Sequence, residues 1–275
     1  MKTHLKRLLS GLLSTMMVIS TIPFVSAHAE EKAELYPYAM FAASDAEGAI
    51  SINTDGFCAN ASIATNGTYI TTAQFVNGGY SCTENCNLPM INAHYAVLDE
   101  YFSDAIIFTD DVVLSEMNNN IVDSVGTDFS FSATGNVSLS GSVGAIYDLS
   151  FYKGEYGANI NASNSVMYSR MGDITVDCNS FSFGGLIYAP NGHVSICAEN
   201  VNLNGLIIAD SIEITGSNVN LNYNQSFARL IGSCMNNPSE SIENDTRFEV
   251  EKNIILNTTY LSYMEDGYDV EDGFE

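Results

Sequence analysis

Basic residues are scarce in this chain. Lysine and arginine number 9 against 33 aspartates and glutamates, for a formal net charge of −24. Three of the nine, Lys2, Lys6 and Arg7, cluster at the start, which leaves the rest more acidic still. A surface of that sign repels phosphate backbones and anionic bilayers, which argues against nucleic-acid binding. Charge of either sign is also sparse, at 15% of residues. The polar surface therefore falls to Asn, Ser, Thr and Gly, a turn-rich β-type composition rather than a disordered one. Beyond the N-terminal leader, no segment is long and apolar enough to span a bilayer.

Catalytic signatures are missing as well. The sequence holds no HExxH, no P-loop, no GxSxG and no EF-hand loop, and Asp266, Asp269, Glu271 and Asp272 depart from calcium-loop spacing. After the leader the strong bases are Lys32, Lys153, Arg170, Arg229, Arg247 and Lys252. None is expected on an outward column of the repeats described below, which removes the proton-abstracting base of a polysaccharide lyase. Asp173 and Asp177 fall at a strand end and a corner, so they read as turn aspartates rather than the facing carboxylates of a hydrolase. His94 reads as a packed or solvent-facing helix histidine and His193 as a solvent-facing turn residue. An ice-binding face would need a regular Thr-x-Thr array, which Thr175, Ser195 and Glu213 break. No zinc-ligand spacing appears. The expectation is no catalytic, cofactor or metal residue, no cofactor and no enzyme.

What is present begins with an export signal over residues 1–29. A basic start leads into an apolar stretch from Leu8 to Phe24, and Ser26-Ala27-His28-Ala29 supplies small residues before a cut at Glu30. The apolar stretch falls short of the roughly 20 residues of a bilayer span, so it reads as cleaved rather than retained. No cysteine opens the mature chain, which argues against a lipid anchor. The product is expected to be secreted or associated with the cell surface. Export permits disulfides. The pairing of Cys58, Cys82, Cys86 and Cys234 stays open; Cys82 and Cys86 flank a short loop and read equally as a pair or as free thiols.

The strongest pattern is a repeat. Asp173-Ile-Thr-Val176 answers His193-Val-Ser-Ile196, Phe181-x-Phe183 answers Val201-x-Leu203, and Gly185-Leu-Ile-x-Ala answers Gly205-Leu-Ile-x-Ala. Ile212-Glu-Ile214 and Val219-Asn-Leu221 begin a third copy. A period of about 18–20 residues is too short for a βαβ unit and fits one coil of a parallel β-helix. The fold class is therefore a mainly β, single-stranded β-solenoid with a helical insertion and short caps. Alternation places Ile174, Val194 and Ile212 in one inward column and Phe183, Leu203 and Leu221 in another, with Ser182, Asn202 and Asn220 outward. Cys178 then points in and Cys197 out, so a bridge between them is not expected.

Around these repeats, residues 30–47 read as an N-terminal lead-in that caps the first coil, and 48–233 as the solenoid. A helical excursion is expected at about 89–120, with Pro89 to Phe102 its clear helix and Val112–Met117 open between helix and strand. A helical cap is expected at about 225–232, and 234–275 reads as a polar, acidic and largely disordered tail.

Several runs carry a resemblance: Met40-Phe-Ala-Ala-Ser-Asp-Ala-Glu-Gly-Ala-Ile50, Tyr168-Ser-Arg-Met-Gly-Asp-Ile174, Leu186-Ile-Tyr-Ala-Pro-Asn-Gly192 and Ser226-Phe-Ala-Arg-Leu-Ile-Gly232. Over roughly residues 38–233 the chain resembles the N-terminal β-solenoid region of large secreted or surface proteins of clostridial-type Gram-positive bacteria. The resemblance implies export and a solenoid, and supplies no catalytic residue. Function is expected to be that of a non-catalytic extracellular scaffold, surface-associated or adhesion-type module. The alternative is a carbohydrate-active or glycan-binding parallel β-helix. Expected partners are cell-wall or host glycans or other surface proteins, with no nucleic acid and no stable membrane insertion.

Overall fold

The computed structural model describes residues 35–155, 157–235 and Phe248. The export signal at 1–29 and nearly all of the acidic tail lie outside the described residues. Among the described residues the fold is a β-solenoid of about seven turns accompanied by two helices. Every strand pairing in its sheet is parallel.

Each coil has three sides. The first side carries residues 50–54, 131–134, 149–152, 174–178, 194–198 and 212–216, and the second carries 57–60, 137–139, 160–163, 181–184, 201–204 and 219–222. The third holds 40–42, 63–65, 143–145, 166–169, 186–189 and 206–209. Alternation sends every second side chain inward on the first two sides. Ile174, Val176, Phe181, Val194, Ile212 and Val219 are all at most 1% exposed. The expected inward columns are those of the structure.

The coils do not stack in chain order. Strand β1 (Tyr38–Ala42) lies in mid-stack, with Met40 level with Ile207 of β14 (Ile174–Tyr223) on one edge and with Ile63 of β3 (Ser62–Thr65) on the other. Strand β2 (Ile50–Asn60) lies on the last stretch of β14, from Ile50 against Ile212 to Asn60 against Asn222. The chain then winds outward through β4 (Tyr69–Thr71), β5 (Phe75–Asn77) and β6 (Ser81–Thr83) to one end. Helix α1 (His94–Tyr101) leads to β7 (Ile106–Phe108) at the other end. The chain returns through β8 (Val112–Val122), β9 (Val125–Thr127), β10 (Phe131–Leu139), β11 (Val143–Ala145), β12 (Leu149–Tyr152) and β13 (Asn159–Ser169) to β14. The coil at 212–222 takes its third side from β1, so one coil is shared between the two ends of the chain.

This order corrects the expected caps. Of the expected lead-in at 30–47, the described part from residue 35 does not lie over a terminal coil: β1 is paired on both edges, and Ala39, Met40, Phe41 and Ala42 are each 0% exposed. Its unbroken apolar run is that of a strand covered on both faces. Helix α2 (Gln225–Met235) does not close the end of the last coil, because β2 already occupies that edge. It lies along the third side, where Phe227, Ala228 and Ile231 pack with Phe41, Leu206 and Ile208. The insertion is shorter than expected. Only His94–Tyr101 is helical, and Val112–Met117 belongs to β8, which pairs with β10.

The third side is therefore apolar on both faces. Ile187 and Ile207 point into the solenoid, while Leu186, Tyr188, Leu206 and Ile208 point outward beneath the helices. Tyr168 and Tyr188 stack at 5.4 Å. The Tyr188 hydroxyl donates to the Ile91 carbonyl at 2.6 Å and accepts the Ala93 N–H at 3.0 Å, which fixes the segment before α1.

Two glycines hollow out the same outward surface. A Cβ on Gly126 or Gly144 would lie 2.5 or 2.3 Å from ring atoms of Phe248. That ring is fully buried, and Phe102 meets it edge-on at 5.1 Å. Its backbone N–H donates to the Asp128 carboxylate at 2.6 Å. One residue of the segment expected to be disordered is thus anchored, because small residues left a ring-sized slot for it.

Candidate functional site

The second side presents the most regular outward surface. One column runs Asn136, Asn159, Ser180, Asn200 and Asn218, and the next runs Ser138, Asn161, Ser182, Asn202 and Asn220. No charged residue interrupts them, in a chain of net charge −24. Stacked coils bring like side chains to about 4.8 Å, a spacing that suits amide ladders. Asn159 Nδ2 donates to Asn136 Oδ1 at 3.1 Å, and Asn218 Nδ2 donates to Asn200 Oδ1 at 3.3 Å. The backbone N–H of Asn159 also reaches Asn136 Oδ1, at 2.9 Å. These bonds tie amides of neighbouring coils together on an uncharged surface of donors and acceptors.

The first side is chemically mixed, with Thr175, Ser195 and Glu213 in one outward column. Aspartates mark the corner leading into it. Asp148 accepts the backbone N–H of Asp173 at 3.0 Å, Asp173 accepts that of His193 at 2.7 Å, and Asp111 accepts that of Ser130 at 3.0 Å. Each carboxylate satisfies a donor of the next coil where the ladder turns the corner. Asp173 is therefore a turn aspartate. His193 is partly exposed, with Nδ1 2.9 Å from the Ser211 hydroxyl and Nε2 4.0 Å from Glu213 Oε2. His94 is a packed helix histidine, its Nδ1 2.5 Å from the Tyr168 hydroxyl. Burial holds the Tyr168 phenol well above its usual range.

Asp173 and Asp177 do not share a site. Asp177 instead pairs with Lys153, whose Nζ lies 2.9 Å from Asp177 Oδ1, and that bond raises the lysine pKa. The sequence reading placed no base on the outward columns. Lys153 reaches one from the extra residues 153–158 between β12 and β13, which lengthen that coil beyond the repeat. The irregular coil length was the signal available for it. Beside this pair, a groove of about 300 Å³ crosses the corner between the first and second sides. Asn53, Asp55, Cys197, Glu199, Thr215 and Ser217 line it together with Lys153.

The cysteines follow the strand alternation. Cys178 is buried, and burial pushes its thiol up to about 12, whereas Cys197 is exposed. Cys82 is half-buried and pushed up to about 11 by burial, with Glu84 adding to the shift. No group of three or more metal-ligating side chains occurs among the described residues.

Fold and surface together define a parallel β-solenoid with one flat Asn/Ser side and one helix-covered side. No protein-family model matches the chain, and no curated protein matches it at a significant level. Among solved structures it is similar to an ice-binding protein from an Antarctic biological consortium, at 12% identity and a TM-score of 0.44, over 73% of this chain and 95% of that one. It is also similar to an ice-binding protein from the Antarctic ascomycete Antarctomyces psychrotrophicus, at 12% identity and a TM-score of 0.37, over 68% of this chain and 95% of that one.

Proposed function

We propose that this is an exported, non-catalytic β-solenoid that works as a surface-associated scaffold, lying on a neutral glycan-rich surface through its second side. The observation that carries the reading is the uncharged Asn/Ser face, on which Asn136 is tied to Asn159 and Asn200 to Asn218 across coils. A flat array of donors and acceptors suits an extended, uncharged, hydrogen-bonding partner. The surrounding acidity disfavours anionic partners. The non-catalytic part draws support from the use of Asp111, Asp148 and Asp173 as corner supports. The exported part draws support from the reading of residues 1–29 as an export signal, and the resemblance to clostridial-type surface proteins belongs to the same reading.

Co-sedimentation of the mature protein with isolated cell walls and insoluble neutral polysaccharides tests it. Retention is expected, and is expected to fall sharply when Asn161, Asn202 and Asn220 are replaced by Asp together. Retention unchanged by those substitutions refutes the role of the second side. Reducing-sugar release abolished by one carboxylate substitution establishes an enzyme instead. Thermal hysteresis of the unmodified protein, lost in the triple variant, reassigns the same face to ice.

A further inference from the structure

The groove between the first and second sides lies where the two ends of the chain meet. Asn53 and Asp55 come from the coil begun by β2, Thr215 and Ser217 from the shared coil, and Cys197 and Glu199 from the coil beyond it. Thr54 Oγ1 donates to the carbonyls of Gly56 and Ser217, at 3.0 and 3.1 Å, which ties the corner of one coil to the next. Lys153 overhangs from farther along the stack, and its ion pair with Asp177 holds it in place.

The lining defines the chemistry of an occupant. With Lys153 engaged by Asp177, the carboxylates of Asp55 and Glu199 leave the groove acidic. Carboxylates only accept hydrogen bonds, the ammonium only donates, and Asn, Ser and Thr do both. Such a set needs a ligand with many hydroxyl groups and no negative charge. An anion meets repulsion from both carboxylates.

We propose that this groove binds a short stretch of neutral glycan lying along the stack axis. Sugar hydroxyls bridge Glu199, Asp55 and the Lys153 ammonium. The proposal shares with the function above only the neutral glycan; the residues differ. Isothermal titration of the full mature chain with cellohexaose, chitohexaose and hexagalacturonate tests it. At least one neutral hexaose is expected to bind, and hexagalacturonate is not. Lys153→Met, Glu199→Ala and Asp55→Ala are each expected to weaken binding about tenfold, the loss of one charged hydrogen bond. All three sites are surface positions, so thermal melts should stay unchanged. Affinity unaltered in all three variants, tighter binding of hexagalacturonate, or no heat from either neutral probe overturns the groove. Wall retention that ignores the second-side substitutions refutes the proposed function and leaves the groove standing.

Discussion

The second and third sides are built from strands of the same coils, yet their outward faces are opposites. On the second side Asn200, Asn202 and Asn220 are exposed beside the buried Val201, Leu203, Val219 and Leu221. On the third side Leu186, Tyr188, Leu206 and Ile208 point outward and are at most 1% exposed. The difference lies in what covers the strand. Water covers the second side, so polar residues alternate with apolar ones. The helices α1 and α2, with Phe248, cover the third, so alternation disappears into continuous runs such as Leu186-Ile-Tyr-Ala189. One side of the stack faces water, and the other holds the chain's own crossover.

The sharpest way to break this comparison is to place one charge on each face of a single strand. Leu203→Asp buries a carboxylate without a partner and should cost on the order of 4 kcal/mol or more, enough to unfold the stack. Its neighbour Asn202→Asp should change stability by less than about 0.5 kcal/mol. Circular dichroism melts of the two variants decide the matter, and equal losses would overturn the inward and outward assignment. Phe248→Ala empties the slot over Gly126 and Gly144 and should cost about 3 kcal/mol. It should also speed tryptic cleavage at Arg247 and Lys252, which flank Phe248 in sequence. Cleavage at the wild-type rate would mean that the ring does not anchor the segment.

A smaller change probes the polar contact beneath α1. Tyr188→Phe leaves the Ile91 carbonyl and the Ala93 N–H without the hydroxyl that serves both, for a loss of about 1–3 kcal/mol in urea denaturation. Asn220→Ala on the water-covered side should be near neutral by the same measurement. Least disruptive is thiol labelling of the folded protein. Iodoacetamide should modify Cys197 and spare Cys178, which lies inside and whose thiol burial holds near 12. Equal labelling in a peptide map would contradict the placement of these two neighbouring coils.

Much of this was legible in the sequence, and particular residues explain where legibility stopped. Ile174, Val194 and Ile212 announced their column because a β-strand turns every second side chain the same way. Asn202 and Asn220 announced theirs by standing between apolar neighbours. The helix covering was harder to see, since Tyr188 and Leu206 look like core residues whichever layer buries them. Lys153 belongs to residues that break the repeat, and an alignment of repeats has no register for them. Its partner Asp177 is 24 positions away, across a coil in which Leu149 stands level with Ile174, longer than the 18–20 residues of the repeat. The groove was hidden for a similar reason: Asp55 and Glu199 come from opposite halves of the chain.

The sequence by itself determined the coil: its length and which side chains of its repeated strands face in. Those follow from strand alternation and from corner residues, both of which are local. Only the tertiary structure decided the order of the coils. Backbone hydrogen bonds on a parallel edge do not depend on side chains, so a periodic sequence specifies what a coil is but not which coil it lies against. Satisfying both edges of β1 and the last edge of β14 brought the N-terminal strands into mid-stack, sent α1 along the third side, and left the second side open to solvent.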